Sequence, residues 1–382
     1  MSDRSRKAIT AAAQTIVVKV GTRVLTSENG TLNRQRIAEL AEEIHEVMQT
    51  GRKVVLVSSG AVAAGVNRLG LKQRPHDLAR LQAVAAVGQS ALIEAYESTF
   101  SKHQRHAAQV LLTADGLDDR KRYLNVCNTL TTLMEYGAVP IINENDTVAV
   151  DELMATFGDN DRLAALVTNL IRAQLLVILS DVDGLYDGNP DDLNTNPIDV
   201  VQQFDEKVFS YVRDSKSTLG KGGMLTKLEA AQIVTQAGEH AIIASGHQPG
   251  TLHDILAGKS VGTLLVAQGK MINSKKRWIG FSARPTGRLL LDAGAKRAIE
   301  EQGRSLLAIG IVATEGQFNK GDVVSLCHPD NLEFARGLSN YDAADLHQIL
   351  GLRTDQIRET LGHCPYDEVV HRDNMTLLGI FR

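Results

Sequence analysis

Ile16-Val17-Val18-Lys19-Val20-Gly21-Thr22 runs four β-branched residues and a lysine straight into a glycine. A strand buried on both faces reads as a continuous apolar, β-branched run. Lys19 belongs in such a strand only if the strand's end opens onto something anionic. Gly21 would let the backbone approach that anion with its N–H exposed. In open α/β sheets, ligands bind outside the carboxyl ends of the strands, where this lysine and glycine would stand. The competing reading is a lysine snorkelling from an edge strand, and the segment taken alone favours it.

Working outward, Ile37, Leu40, Ile44, Val47 and Met48 recur at helical spacing, and Gly51 ends that helix. Lys53–Val57 reads as a second buried strand running into Ser58-Ser59-Gly60-Ala61-Val62-Ala63-Ala64-Gly65. Strand, then serine and glycine, then a small-residue helix can aim hydroxyl and N–H groups at an anion; a close-packed β-α corner would read the same way. Helices are expected at Ala79–Phe100, Tyr123–Tyr136 and Leu225–Ala237, and strands at Gln109–Thr113, Val139–Asn143, Leu175–Ser180 and Ala241–Ala244. This alternation predicts an α/β fold, a three-layer α/β/α arrangement around a mainly parallel sheet. Near Phe281–Gly287 the rhythm changes to short strands (Gly287–Leu291, Gly310–Thr314, Asp322–Leu326) around a helix at Ala293–Gln302. The expected layout is a frayed leader over 1–14, a large domain over 15–270, a linker over 271–284 and a small mixed β-rich domain over 285–382.

Bulk properties narrow the function. The 382 residues leave room for two domains, and a net charge of −4 shows no polybasic bias toward nucleic acid or membrane. Cys127, Cys327 and Cys364 are odd in number and lack zinc spacing, which fits reduced thiols in a cytosolic chain. The leader has no apolar core of a signal peptide, and no apolar run nears the ~18 residues of a membrane span.

Four polar stretches could carry chemistry. Asn143-Glu144-Asn145-Asp146 and Gly158-Asp159-Asn160-Asp161 both lie between a strand and a helix. One Asp or Asn there reads as an N-cap, but two clusters bracketing a loop at the edge that holds Lys19 read as a polar substrate pocket. Ser180-Asp181-Val182-Asp183-Gly184-Leu185-Tyr186 lacks the acidic spacing of a calcium loop and reads as a strand-end turn that meets a nucleotide. Gly220-Lys221-Gly222-Gly223-Met224-Leu225-Thr226-Lys227 satisfies neither G-x-x-x-x-G-K-[ST] nor G-x-G-x-x-G. A lysine in the first turn of a helix opposes the helix dipole. Lys227 therefore calls for a bound polyanion, unless the loop is a solvated surface segment.

Together these segments resemble the amino-acid kinase family, in the branch that carries a C-terminal PUA domain. The match rests on Val17–Thr22, Val57–Gly65, Ala85–Gln89, Ile142–Leu153, Phe157–Leu163, Ser180–Tyr186, Gly222–Lys227 and Lys276–Ile279, in order, over almost the whole chain from Thr15. The resemblance implies ATP-dependent phosphorylation of the side-chain carboxylate of L-glutamate, the first step of proline biosynthesis, with Mg2+. It implies Lys19 and Lys227 as paired transition-state lysines and Asp161 as the residue that orients them. Ser59, Asp146 and Asn160 correspond to glutamate-binding positions. Ser180, Asp181, Lys221, Gly222, Gly223, Met224, Leu225, Thr226 and Lys227 correspond to ATP-binding ones. Feedback binding of proline and a homo-oligomer are further implications. Two departures from the family pattern stand out: Lys221 replaces a smaller residue, and Met154-Ala155-Thr156 extends the loop before Phe157.

The chemistry suits these residues. A side-chain carboxylate with pKa near ~4.3 is already ionised at neutral pH, so no general base is needed. The obstacle is anion meeting anion, roughly 4 kcal/mol for one charge pair at ~4 Å and an effective dielectric of about 20. Positioning and cations answer it; no protein ligands to a metal are assigned. No histidine has catalytic or metal-like spacing, and His45 reads as a surface residue. A PUA domain raises RNA binding as a rival function. From Arg284 to Arg382, however, 11 Lys and Arg face 14 Asp and Glu, so the basic footprint of an RNA surface is missing outside a local patch of Lys296, Arg297 and Arg304.

Overall fold

The computed structural model describes residues 2–27, 30–148, 159–190, 192, 194–213, 223–268, 272–328, 330–362 and 366–378. Eight strands build the larger sheet: β1 (Thr15–Val20), β2 (Lys53–Ser58), β3 (Ala107–Leu112), β4 (Val139–Glu144), β5 (Leu175–Ser180), β6 (Val200–Val201), β7 (His240–Ser245) and β8 (Thr263–Leu265). Their order is β3-β4-β2-β1-β5-β7-β8-β6, and every neighbouring pair runs parallel except β7 with β8. The α/β class with a mainly parallel sheet therefore stands as the sequence predicts.

β1 lies in the middle of this sheet. Lys19 pairs with Val57 on one side and Ile178 on the other, which removes the edge-strand reading of this lysine. Side chains alternate across a strand. Ile16, Val18 and Val20 join Leu40, Ile44, Leu92 and Tyr96 in one core, so Val17 and Lys19 point to the opposite face. That face receives the helix Asp159–Ile171, which carries Asp161.

The serine-glycine stretch after β2 forms the close-packed β-α corner that its sequence allowed. Gly60 takes the left-handed conformation (φ 104°) that turns the chain into the helix Ala61–Arg68. This helix packs backbone to backbone on the helix Leu78–Phe100. A Cβ on Gly88 would lie 1.7 Å from the Ala61 carbonyl oxygen, and one on Gly65 would lie 1.9 Å from that of Val84.

The first residues depart from the sequence reading. The segment expected to be a frayed leader over 1–14 contains an α-helix, Ser2–Ala12. Its Arg6 is fully buried and donates to the Val261, Gly262 and Asp199 carbonyls and to the Asp199 carboxylate, each at 2.8–3.0 Å. One guanidinium with many donors satisfies several backbone acceptors at once, and composition alone does not reveal that pairing.

A second compact unit comprises Ile272–Arg382 together with Leu117–Arg120. Its five strands are β9 (Gly287–Leu291), β10 (Ile311–Gly316), β11 (Val323–Cys327), β12 (Glu333–Leu338) and β13 (Met375–Leu377), in the order β10-β9-β11-β12-β13. Leu289, Leu291, Leu326, Phe334 and Leu346 form its core. β12 and β13 were not legible in the sequence: Glu333-Phe334-Ala335-Arg336-Gly337-Leu338 lacks a β-branched run, and β13 is too short to show a period. Among the described residues no helix is long and apolar enough to cross a membrane.

Candidate active site

Because β1, β2, β4 and β5 are parallel neighbours, their carboxyl ends share one edge of the sheet. That edge gathers Lys19, Ser59, Asn143, Ser180 and Asp181 from strands far apart in sequence. Two helices contribute the rest: Asp159–Ile171 supplies Asn160 and Asp161, and Gly223–Gln236 supplies Lys227.

Asp161 is the centre of the arrangement. Its Oδ1 lies 2.7 Å from Lys19 Nζ, and its Oδ2 lies 3.2 Å from Lys227 Nζ. The three residues are 2%, 5% and 8% exposed, so both ion pairs are buried. Thr226 Oγ1 also donates to Asp161 Oδ2 at 3.0 Å. Burial is the largest single influence on Asp161 and pushes its carboxyl upward. The Lys19 and Lys227 ammonium groups, with the hydrogen bonds, outweigh burial and hold the carboxyl below the usual carboxylate range. Burial lowers the Lys227 ammonium, Asp161 opposes that, and Lys19 reinforces it. Lys227 also donates to the Gly223 carbonyl at 2.9 Å. The unfavourable charge in the first turn of this helix is thus offset from within the protein, by Asp161, where the sequence pointed to a bound polyanion.

Gly21 differs from expectation. Its N–H donates to the Leu179 carbonyl at 3.0 Å, so it holds β1 to β5 and is not turned toward a ligand.

A second group, of amides, surrounds Ser59. Asn160 Nδ2 donates to Ser59 Oγ and to Asn143 Oδ1, both at 3.0 Å. Asn143 Nδ2 donates to Gln89 Oε1 at 3.3 Å, and Gln89 Nε2 donates to Asp146 Oδ2 at 3.3 Å. Ser59, Asn160 and Asp146, separated in the chain, are therefore joined in one network. Burial pushes the Asp146 carboxyl up to about 6, against the Gln89 hydrogen bond and the Arg74 charge. Asn143 opened one of the polar stretches and Gln89 closed a motif of the family match, but neither was assigned a role of its own. A usable signal existed: Gln89 continues the buried stripe Leu81, Val84, Ala85 and Gly88 of its helix, where a polar side chain needs a partner.

A third group lies at the end of β5. Ser180 is buried and its hydroxyl donates to Asp181 Oδ1 at 3.0 Å, while Arg23 Nη1 pairs with Asp181 Oδ2 at 2.6 Å. Burial raises the Asp181 carboxyl, but the Arg23 and Ser180 hydrogen bonds bring it below the ordinary range. Asp181 also acts on the charge of Lys227, which ties this group to the lysine pair. Arg23 was not anticipated. Of the glycine-rich loop, Gly223, Met224 and Leu225 open the helix and are partly exposed, whereas Lys221 and Gly222 lie outside the described residues. So do Met154, Ala155, Thr156 and Phe157.

His45 is not a surface residue. It is buried against His103, the two rings stacked 3.9 Å apart, and accepts from Arg105 at 3.2 Å. Burial, His103 and Arg105 together lower its pKa. Among the described residues no three His, Cys, Asp or Glu side chains are grouped to hold an ion.

The amino acid kinase family model matches residues 14–245, and the PUA domain model matches residues 287–361. A glutamate 5-kinase of Rhodopirellula baltica is 50% identical over 372 residues, covering 97% of this chain and 96% of the relative. Glutamate 5-kinases of a Thermoanaerobacter species (45% over 364 residues, 95% of this chain, 97% of the relative) and of Geobacter metallireducens (45% over 377 residues, 98% and 100%) are similar along the same length. The chain belongs to the amino acid kinase family and carries a C-terminal PUA domain.

Proposed function

We propose that the chain transfers the γ-phosphoryl group of ATP to the side-chain carboxylate of L-glutamate, giving L-glutamyl 5-phosphate, the first step of proline biosynthesis. The observation that carries this reading is the meeting of two buried ammonium groups on Asp161 at the carboxyl edge of the sheet. Its similarity to glutamate 5-kinases selects the acceptor.

A carboxylate oxygen of glutamate attacks the γ-phosphorus in line, the bond to the β,γ-bridging oxygen breaks, and ADP departs without a covalent enzyme intermediate. Both reactants are anionic, and Lys19 and Lys227 offset the roughly 4 kcal/mol repulsion of each close charge pair at an effective dielectric of about 20. Asp161 takes no proton. It holds the lysines at a fixed spacing, and Thr226 fixes the carboxylate in turn. Ser59, Asn160 and Asp146 bind glutamate, with Asp146 facing its ammonium. Ser180, Asp181 and the segment Lys221–Lys227 hold the nucleotide. ATP enters as its Mg2+ complex, the metal riding on phosphates and water. The reading extends to a cytosolic homo-oligomer that proline inhibits.

Purified protein, MgATP and one candidate acid at a time, with hydroxylamine trapping the acyl phosphate, tests the proposal. Hydroxamate from glutamate, and none from aspartate or N-acetylglutamate, is the expected result. Product from another acid reassigns the acceptor. No product together with tight RNA retention transfers the function to the PUA domain.

A further inference from the structure

The hydrogen bonds around Gln89 have a direction, and it can be followed to the substrate. An amide nitrogen has two hydrogens to donate, and an amide oxygen only accepts. Gln89 is 6% exposed. Its Nε2 faces the Glu144 carbonyl at 3.4 Å and Asp146 Oδ2 at 3.3 Å, both acceptors. Turned over, the amide would set its oxygen against those two oxygens, so this orientation is imposed. Oε1 is thereby directed at Asn143, which must answer with Nδ2. Asn143 Oδ1 then accepts the Glu144 N–H at 2.9 Å and one hydrogen from Asn160 Nδ2. The other Asn160 hydrogen goes to Ser59 Oγ. Both Asn160 donors are used, and its Oδ1 is buried with no partner among the described residues. Ser59 accepts in this network, which leaves its own hydroxyl hydrogen to donate.

We infer that Gln89 is a specificity-determining positioning residue: by fixing this chain of amides it presents two acceptors, Asn160 Oδ1 and the Asp146 carboxylate, to the α-ammonium group of the amino-acid substrate. The inference rests on the glutamate reading above and deepens it. An ammonium group has three hydrogens and no lone pair to offer. A site that presents acceptors discriminates against a diacid of the same length that lacks the amino group, because buried acceptors are then left unpaired. Gln89 touches no substrate itself; its effect passes through Asn143, Asn160 and Asp146.

The test compares glutamate with glutarate, its analogue without the amino group. In the native enzyme the KM for glutamate should lie well below the Ki for glutarate as an inhibitor competitive with glutamate. Gln89→Leu removes the donors to Asp146 and the acceptor for Asn143. It should raise the glutamate KM by about tenfold to a hundredfold, the value of one or more charge-assisted hydrogen bonds, with the glutarate Ki and the ATP KM changed little. Gln89→Met keeps the length of the side chain while losing both amide groups, and should show the same selective loss if Leu proves too disruptive to fold. Equal losses for glutamate and glutarate in the folded variants would reduce Gln89 to general support and overturn the inference. A native enzyme that phosphorylates no glutamate defeats the functional reading instead, and the two failures are told apart on the wild-type protein.

Discussion

Lys19 and Lys227 share a single carboxylate: Asp161 presents Oδ1 to the first at 2.7 Å and Oδ2 to the second at 3.2 Å. The first lysine comes from a central strand and the second from the opening of a helix late in the larger unit. Two like charges this close and this buried repel each other, so the carboxylate between them is what makes the pair tolerable.

If Lys227 stabilises charge only as phosphate moves, Lys227→Ala should lower kcat by at least about a hundredfold while the glutamate KM changes by less than about threefold, the pattern of an interaction made in the transition state. Steady-state kinetics in both substrates decide this. A rise in KM with kcat intact would reassign Lys227 to ground-state binding.

Asp161→Asn leaves two buried ammonium groups beside a neutral amide. Breaking a buried pair in this way costs about 3–5 kcal/mol, so denaturant unfolding at pH 7 should show a loss of that order along with the loss of turnover. The pH dependence follows from the direction of the shift. A carboxyl held below its unfolded value contributes stability that is present above the ordinary carboxylate range and is lost as pH falls through the depressed folded value. The gap between wild type and variant should therefore narrow in acid.

Asp146 is shifted the other way, up to about 6. Its charge, needed to meet the ammonium of glutamate, disappears as pH falls through that value. The glutamate KM should climb between pH 7 and pH 5 while the ATP KM stays level. Because the raised carboxyl is disfavoured in its charged form by folding, it detracts from stability above about pH 6. Asp146→Asn should accordingly melt no lower than wild type at pH 8, yet bind glutamate poorly. A variant less stable than wild type at that pH would contradict this account of the residue.

The crossing of the helices Ala61–Arg68 and Leu78–Phe100 supports the turn that carries Ser59. Gly88→Ala would set a methyl 1.7 Å from the Ala61 carbonyl oxygen, and the backbone must move to admit it. Overpacking of this kind costs about 1–3 kcal/mol or more. A lowered Tm with a raised glutamate KM is expected, since the displaced helix starts one residue after Gly60. An unchanged Tm would mean that the two helices separate without strain.

Much of the scaffold was written in local sequence. The apolar runs of β1, β2 and β5 mark strands covered on both faces, and alternation with apolar-striped helices makes the sheet parallel. Lys19 and Lys227 stood out as individuals for a related reason: a charge in an apolar run, or at the wrong end of a helix, is conspicuous because burying it is costly. Asp161, at the favourable end of its helix, read as a cap or a pocket residue, and its orienting role came from the resemblance. Their meeting was not legible, because it depends on strand order, which places β1 between β2 and β5 and brings their carboxyl ends to one edge. Gln89 and Asn143 stood in quoted stretches without a role of their own, since an uncharged amide leaves no mark on charge; only its partners show its purpose. Arg6 escaped notice, most of its acceptors being backbone carbonyls that every sequence contains. The amino-acid sequence by itself determined most of the strands and helices around the larger sheet, through burial and periodicity, and marked residues that could carry charge chemistry. Tertiary structure alone decided which of them touch, because an ion pair or a hydrogen bond acts over ångströms in space and takes no account of separation along the chain.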